Sequence, residues 1–240
     1  MPVAPEQHLF RALTDAPPTP LVAASMLGAD FSRLGAEALD VMQAGCDLLH
    51  LDVMDGHFVP NLTMGPDLVA GLRRACPDVC LDAHLMVQHP QEFIEPFVHA
   101  GADHLTIHVE AEHPQADPRA TAELIRKAGL SAGLAINPET DLEKILPYVA
   151  DFELLLVMSV QPGFAGQSFR PEVLAKAEAL SAVASSGVRI QIDGGVAPVN
   201  AEACRKAGCD VLVAASAIFK AEDRRSAIES IRGPVSQADS

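Results

Sequence analysis

The feature that most constrains this chain is a repeated alternation. Short apolar runs of strand length are separated by longer amphipathic stretches. The runs are "LVAASML" (21–27), "LLHLDVMD" (48–55), "CLDAHLMV" (80–87), "HLTIHVE" (104–110), "SAGLAIN" (131–137), "ELLLVMSV" (153–160), "RIQIDGG" (189–195) and "VLVAASAIF" (211–219). Between them lie stretches such as "SRLGAEALDVMQAG", "PEVLAKAEALSAVASSG" and "PVNAEACRKAG", several of which open on Ser or Pro and stop at Gly, as helices do. "AGCD", "AGAD" and "AGCD" precede the second, fourth and eighth runs, a Gly stop followed by strand entry. Strands alternating with helices and buried on both faces form a parallel sheet. Eight repeats within one chain of 240 residues predict an α/β fold, a single closed (β/α)8 TIM barrel. A doubly wound open sheet is the alternative, but "SMLGADFSRLG" after the first run is a poor match to the glycine-rich turn such sheets carry.

Residues 1–20, Pro-rich and polar, read as an N-terminal extension, 21–232 as the barrel, and 233–240 as a flexible tail. The formal net charge of −15 argues against nucleic acid and against an anionic membrane surface as partners. It leaves open a small phosphorylated substrate, because backbone N–H groups bind phosphate without Lys or Arg. No run approaches a membrane span or a signal-peptide core, so a cytoplasmic protein is expected. The five cysteines are scattered without a CxxC pair and read as buried free thiols. A homo-oligomer is compatible with the sequence, though no interface is legible in it.

Polar residues sit where such barrels place their chemistry, at the C-terminal ends of strands. In the second run His50, Asp52 and Met54 alternate with Leu49, Leu51 and Val53, so the three share one face. The third run carries His84 and Met86, and the seventh ends on Asp193. Two imidazoles and two carboxylates at one mouth suit Zn²⁺, Mn²⁺, Fe²⁺ or Co²⁺. An isolated strand histidine is more often a hydrogen-bonded core residue. Four such groups together are harder to explain that way, because a buried unpaired carboxylate is costly and a cation offsets that cost. Met54 and Met86 would form an apolar lid above the ligands. Asp55 reads as a cap for the loop after it, His108 and Glu110 as partners that orient ligands, and Asp117 with Arg119 as an ordinary helix start. "VQPGFAGQSF" (160–169), "IDGGV" (192–196) and "AASAIF" (214–219) form three small-residue turns where these barrels bind phosphate.

These stretches resemble the ribulose-phosphate 3-epimerase family. "LHLDVMDGHFVPNLTMGP", "DAHLMV", "MSVQPGFAGQSF" and "QIDGGV" look like its signature segments, in its order and at its spacing, across nearly all of residues 21–220. The resemblance implies one catalytic divalent metal held by His50, Asp52, His84 and Asp193, with Asp52 and Asp193 also serving as the acid/base pair. It implies substrate contacts from Ser25, His84, Met54, Met86 and Met158. It places phosphate on Gly163, Phe164, Ala165, Gly166, Gly194, Gly195, Ala215 and Ser216. The activity implied is inversion at carbon 3 of D-ribulose 5-phosphate. Epimerisation of a related ketose phosphate, such as allulose 6-phosphate, and a non-catalytic phosphosugar-binding barrel are the alternatives. A barrel lyase with a D-x-K-x-x-D strand is disfavoured, since Asp52 stands in the lysine's place. Zn²⁺ is the first choice of metal, with Mn²⁺, Fe²⁺ and Co²⁺ compatible with the same ligand types. The chain departs from the family pattern at Ala24, Gln161, Ala165 and Ala215. The last two stand where glycine is usual, and a Cβ there is costly wherever the backbone needs φ > 0.

Overall fold

The computed structural model describes residues 20–164 and 166–234. The extension and tail read from the sequence therefore lie, apart from Pro20, Gly233 and Pro234, outside the described residues, as does Ala165. Eight parallel strands form the barrel: β1 (Leu21–Ser25), β2 (Leu48–Asp55), β4 (Cys80–Met86), β5 (His104–His108), β6 (Ser131–Ile136), β7 (Leu154–Met158), β8 (Arg189–Asp193) and β9 (Val211–Ala214). A two-residue strand, β3 (Leu62–Thr63), folds back antiparallel on the end of β2. Closure comes from β1, which pairs with β2 on one side and β9 on the other.

The helices are α1 (Leu34–Gln43), α2 (Pro66–Ala75), α3 (Ile94–Ala100), α4 (Pro118–Lys127), α5 (Leu174–Val183), α6 (Pro198–Lys206), α7 (Ser216–Phe219) and α8 (Arg224–Arg232). Their starts follow local chemistry. Pro66, Pro118 and Pro198 open α2, α4 and α6, where a missing N–H costs nothing. Asp117 accepts from Arg119 N–H and Asp223 from Ser226 N–H, capping α4 and α8. Two short 3₁₀ segments, Leu142–Lys144 and Leu146–Asp151, connect β6 to β7 in place of an α-helix. The eighth apolar run is shorter as a strand than its sequence suggests. β9 stops at Ala214, the chain turns at Ala215 (φ −108°, ψ −92°), and residues 216–219 form α7.

The repeated Gly-x-Asp entries have a structural purpose. Asp47, Asp103 and Asp210 each stand just before a strand and accept a backbone N–H from the preceding strand, at Val22, Leu81 and Ile190. Glu153 does the same for Ala132. Each of the four acids also pairs with an arginine: Arg232, Arg73, Arg189 and Arg126 respectively. This device recurs at β1/β2, β4/β5, β6/β7 and β8/β9. It satisfies backbone donors at the strand starts and leaves the opposite, C-terminal end free for chemistry.

Strand alternation sorts the core into two layers. Leu49, Leu51 and Val53 point out toward the helices with the larger cluster, which includes Leu81, Leu85, Leu105, Ile107, Leu155 and Ile192. Leu48, Cys80, Leu154, Leu156, Val211 and Val213 fill the barrel's interior. All five cysteines are free and buried. Among the described residues no helix is long and apolar enough to cross a membrane.

Candidate active site

The register between β2 and β4 builds most of the site. It sets His50 beside Asp82, Asp52 beside His84, and Met54 beside Met86, all facing inward. β8 adds Asp193 at its end, in register with Met158 of β7. One ligating atom each from His50, Asp52, His84 and Asp193 lies within 4.8 Å of the other three. His50 Nε2 and His84 Nδ1 each stand 3.5 Å from Asp52 Oδ1. Asp193 Oδ2 is 4.0 Å from the first nitrogen and 3.9 Å from the second. The four residues predicted to converge are thus brought together, with both imidazoles fully buried.

Three of the four groups are aimed by a neighbour on another strand. Ser25 Oγ–H donates to Asp52 Oδ2 at 2.6 Å, which leaves Oδ1 facing the imidazoles. Thr63 Oγ1–H donates to the Asp52 carbonyl, fastening β3 over the strand end. His50 Nδ1–H donates to Asp82 Oδ2 at 2.8 Å, and Gln191 Nε2–H donates to the same oxygen at 2.9 Å. His84 Nε2 meets His108 Nε2 at 2.7 Å, and His108 Nδ1 lies 3.1 Å from Glu110 Oε2. Asp82 and Gln191 were not singled out from the sequence. The signal was present: in "DAHLMV" the same alternation that joins His84 to Met86 also joins Asp82 to His84. Nothing local in the sequence pairs Gln191 with Asp82, 109 residues away.

The electrostatics are those of a site built around positive charge. Burial opposes a charged His50 ring, but Asp82 and Asp52 outweigh it and lift its pKa well above the ordinary imidazole value. His50 Nε2 and His84 Nδ1 stand 3.3 Å apart. Burial likewise opposes ionisation of Asp52, yet His50 and His84 hold it well below the usual carboxylate range. Burial would raise Asp82 too, but the His50 ring brings it to about 2. His84 is pushed down to about 4, chiefly by burial. Burial and then the Asp52 charge push Asp193 up to about 7. Three inward-facing carboxylates, Asp52, Asp82 and Asp193, therefore surround one imidazolium. A divalent cation fits this donor set: two imidazole lone pairs and two carboxylate oxygens converge on one point.

Above the four groups a cavity opens. Asp52 and Asp193 line its floor with Ser25, and Met54, Met86 and Met158 line its sides. Met54 and Met86 pack with Val59. The rim carries Gly163, Phe164, Gly166, Gly194, Gly195, Ala215 and Ser216, and no Lys or Arg is among the described lining residues. His84, expected at the substrate, sits beneath the floor, fully buried and outside the lining. Gly194 and Gly195 have φ of +115° and +63°, and a Cβ on Gly195 would lie 2.8 Å from the Phe169 nitrogen. At Ala215 φ is −108°, outside the left-handed region that favours glycine. Asp55 caps its loop as expected, accepting from His57 and Phe58 N–H, and also from Gln88 N–H.

A family model described as the ribulose-phosphate 3 epimerase family matches residues 21–219. The chain belongs to this family. Curated relatives named ribulose-phosphate 3-epimerase agree along most of their length. One from Mycobacterium tuberculosis (strain ATCC 25618 / H37Rv) is 44% identical over 216 residues, covering 89% of this chain and 92% of the relative. One from Bacillus subtilis (strain 168) is 43% identical over 217 residues, covering 88% and 98%. Solved structures share the barrel at lower identity. A 3-keto-L-gulonate-6-phosphate decarboxylase from Vibrio cholerae O1 matches with a TM-score of 0.67 at 17% identity, covering 89% of this chain and 96% of that one. That likeness concerns the fold alone. What marks this chain as a member of the family is the match along residues 21–219 and the identity to the named relatives.

Proposed function

We propose that this chain inverts carbon 3 of a ketose phosphate, interconverting D-ribulose 5-phosphate and D-xylulose 5-phosphate. The observation that carries the reading is the pair of carboxylates, Asp52 and Asp193. They rise from different strands to line one cavity floor while sharing a ligand cluster with His50 and His84.

Inversion next to a carbonyl removes a proton from one face and returns one to the other. One base serves both faces poorly, whereas two carboxylates on opposing strands divide the work. Each Asp has one oxygen toward the imidazoles, Oδ1 of Asp52 and Oδ2 of Asp193, which leaves its second oxygen for proton transfer. Ser25 orients that second oxygen on Asp52. One carboxylate abstracts while the other donates, and the roles exchange with direction. Positioned general acid–base groups contribute about 10²–10⁴-fold. His50, Asp52, His84 and Asp193 would hold a divalent ion, with Zn²⁺ the ion we favour, and when bound it supplies Lewis-acid stabilisation of negative charge developing on the substrate. Met54, Met86 and Met158 exclude water from the reacting carbons. The amides around Gly194, Gly195, Ala215 and Ser216 would receive the phosphate, consistent with a rim free of cationic side chains among the described residues.

The test is proton exchange. D-ribulose 5-phosphate is incubated with the purified chain in D₂O, with and without a chelator, and followed by NMR. Chelator-sensitive deuterium entry at carbon 3, with xylulose 5-phosphate appearing, is the expected result. Absence of exchange in metal-replete protein refutes the pentulose assignment.

A further inference from the structure

We propose that Glu110 is a positioning residue that sets the ligating tautomer of His84, acting through His108. The inference rests on the metal-site reading above. It concerns which nitrogen of His84 carries the proton, because a ring nitrogen can ligate only with its lone pair free.

The geometry is a chain of three groups. His84 turns Nδ1 to the cluster and Nε2 to His108 Nε2, at 2.7 Å. The two ring planes lie within 19° of each other, with centroids 4.9 Å apart. Two ring radii added to the 2.7 Å contact account for that separation, so the rings meet edge to edge, nitrogen to nitrogen. One proton lies between those nitrogens. If it belongs to His84, Nδ1 is free to ligate. If it belongs to His108, the His84 proton sits on Nδ1 and blocks the site. His108 must therefore be an acceptor at Nε2 and carry its own proton on Nδ1, which faces Glu110 Oε2 at 3.1 Å. A carboxylate only accepts, and it fixes this arrangement. Glu110 is itself anchored, since its Oε1 accepts from the Asn137 backbone N–H at 2.8 Å. His108 is fully buried beneath the Phe58 ring, and its carbonyl accepts from His113 Nε2–H.

The anchoring makes one substitution diagnostic. In Glu110→Gln the Asn137 N–H retains the amide oxygen, which turns the NH₂ toward His108 Nδ1. A donor there reverses both tautomers and places the His84 proton on Nδ1. Glu110→Ala removes the acceptor without supplying a donor, so it perturbs the chain less.

The experiment uses the full chain, as wild type, Glu110→Gln and Glu110→Ala. Zn²⁺ affinity is measured by competition with a chromophoric chelator, and ring tautomers by NMR of ¹⁵N-histidine-labelled, metal-free protein. Wild type is expected to show His84 protonated at Nε2 and His108 at Nδ1. Glu110→Gln is expected to lose about 10–100-fold in Zn²⁺ affinity and to move the His84 proton to Nδ1, with Glu110→Ala losing less. The proposal is overturned if wild type shows the opposite tautomers, if Glu110→Gln leaves them unchanged, or if Glu110→Ala loses as much affinity as Glu110→Gln. Failure of wild type to bind Zn²⁺ would instead refute the metal-site reading, and the tautomer spectra would still decide the relay.

Discussion

Asp82→Asn isolates what the buried carboxylate behind His50 contributes. Asp82 is fully buried and accepts from His50 Nδ1–H and Gln191 Nε2–H on one oxygen, Oδ2, while Oδ1 has no partner among the described residues. Truncation to Ala would strand two buried donors at about 1–3 kcal/mol each. Against a total stability of about 5–15 kcal/mol, that risks unfolding the chain. Asn avoids this. Its carbonyl oxygen keeps the position facing both donors, and its NH₂ falls where Oδ1 now stands alone. One unpartnered acceptor becomes one unpartnered donor, so the thermal midpoint should move little. What is lost is the negative charge that raises the basicity of the His50 nitrogen facing the cluster. Changes of this kind behind a ligating histidine cost about 10–100-fold in metal affinity, or about 1.4–2.8 kcal/mol. Zn²⁺ competition titration beside differential scanning calorimetry separates the two effects. Unchanged affinity, or an affinity loss matched by loss of folding, refutes the reasoning.

Other consequences are direct. Gly195→Ala places a Cβ 2.8 Å from the Phe169 nitrogen at φ +63°, so the rim must shift. The KM for the phosphosugar should rise by about tenfold or more, ~1.4 kcal/mol of binding, and an unchanged KM would remove this turn from the phosphate site. Because the described lining holds no Lys or Arg, raising salt should increase KM only mildly, and a steep salt dependence would count against amide recognition. Glu37 bridges Arg33 and Arg224, tying α1 to α8, and the Arg33 hydrogen bond leads in holding its carboxyl below the ordinary 4.5. A lowered acid contributes stability that is present above its unfolded pKa and lost as pH falls through the folded one. Glu37→Gln should therefore cost about 1 kcal/mol at neutral pH, with the difference from wild type vanishing in acid melts. A gap that persists at low pH would mean packing, not charge.

Much of this was legible in the chain because the signals are periodic. Apolar runs with helical stretches between them announce a parallel barrel, and alternation within "HLDVMD" puts His50, Asp52 and Met54 on one face without reference to any other strand. The end of β9 was misread because "VLVAASAIF" stays apolar through its turn, and composition does not distinguish a strand from the short helix that follows. The acids in the "AGCD" and "AGAD" entries read as punctuation, yet they bind backbone donors of neighbouring strands and an arginine each. Those roles depend on strand adjacency, whereas the 109-residue span from Asp82 on β4 to Gln191 on β8 depends on barrel closure, because these two strands are not neighbours. Local pattern names the candidate ligands, but barrel closure chooses their partners.

That division has a physical basis. A ligating side chain needs only its residue type and the correct face of its strand, and the period of two supplies the face. Holding it to the fraction of an ångström that metal binding and proton transfer require takes a second polar group. For three of the four inward-facing groups here, that second group comes from an adjacent strand. Ser25 on β1 holds Asp52 on β2, Asp82 on β4 holds His50 on β2, and His108 on β5 holds His84 on β4. Each supporting bond crosses one strand boundary, so the site's precision depends on the register of β1, β2, β4 and β5 together. A one-residue slip at any of these boundaries would turn a whole row of polar groups into the helix-facing core. The bonds that aim the candidate ligands therefore also penalise the wrong register, and the site and the fold are specified by the same side chains.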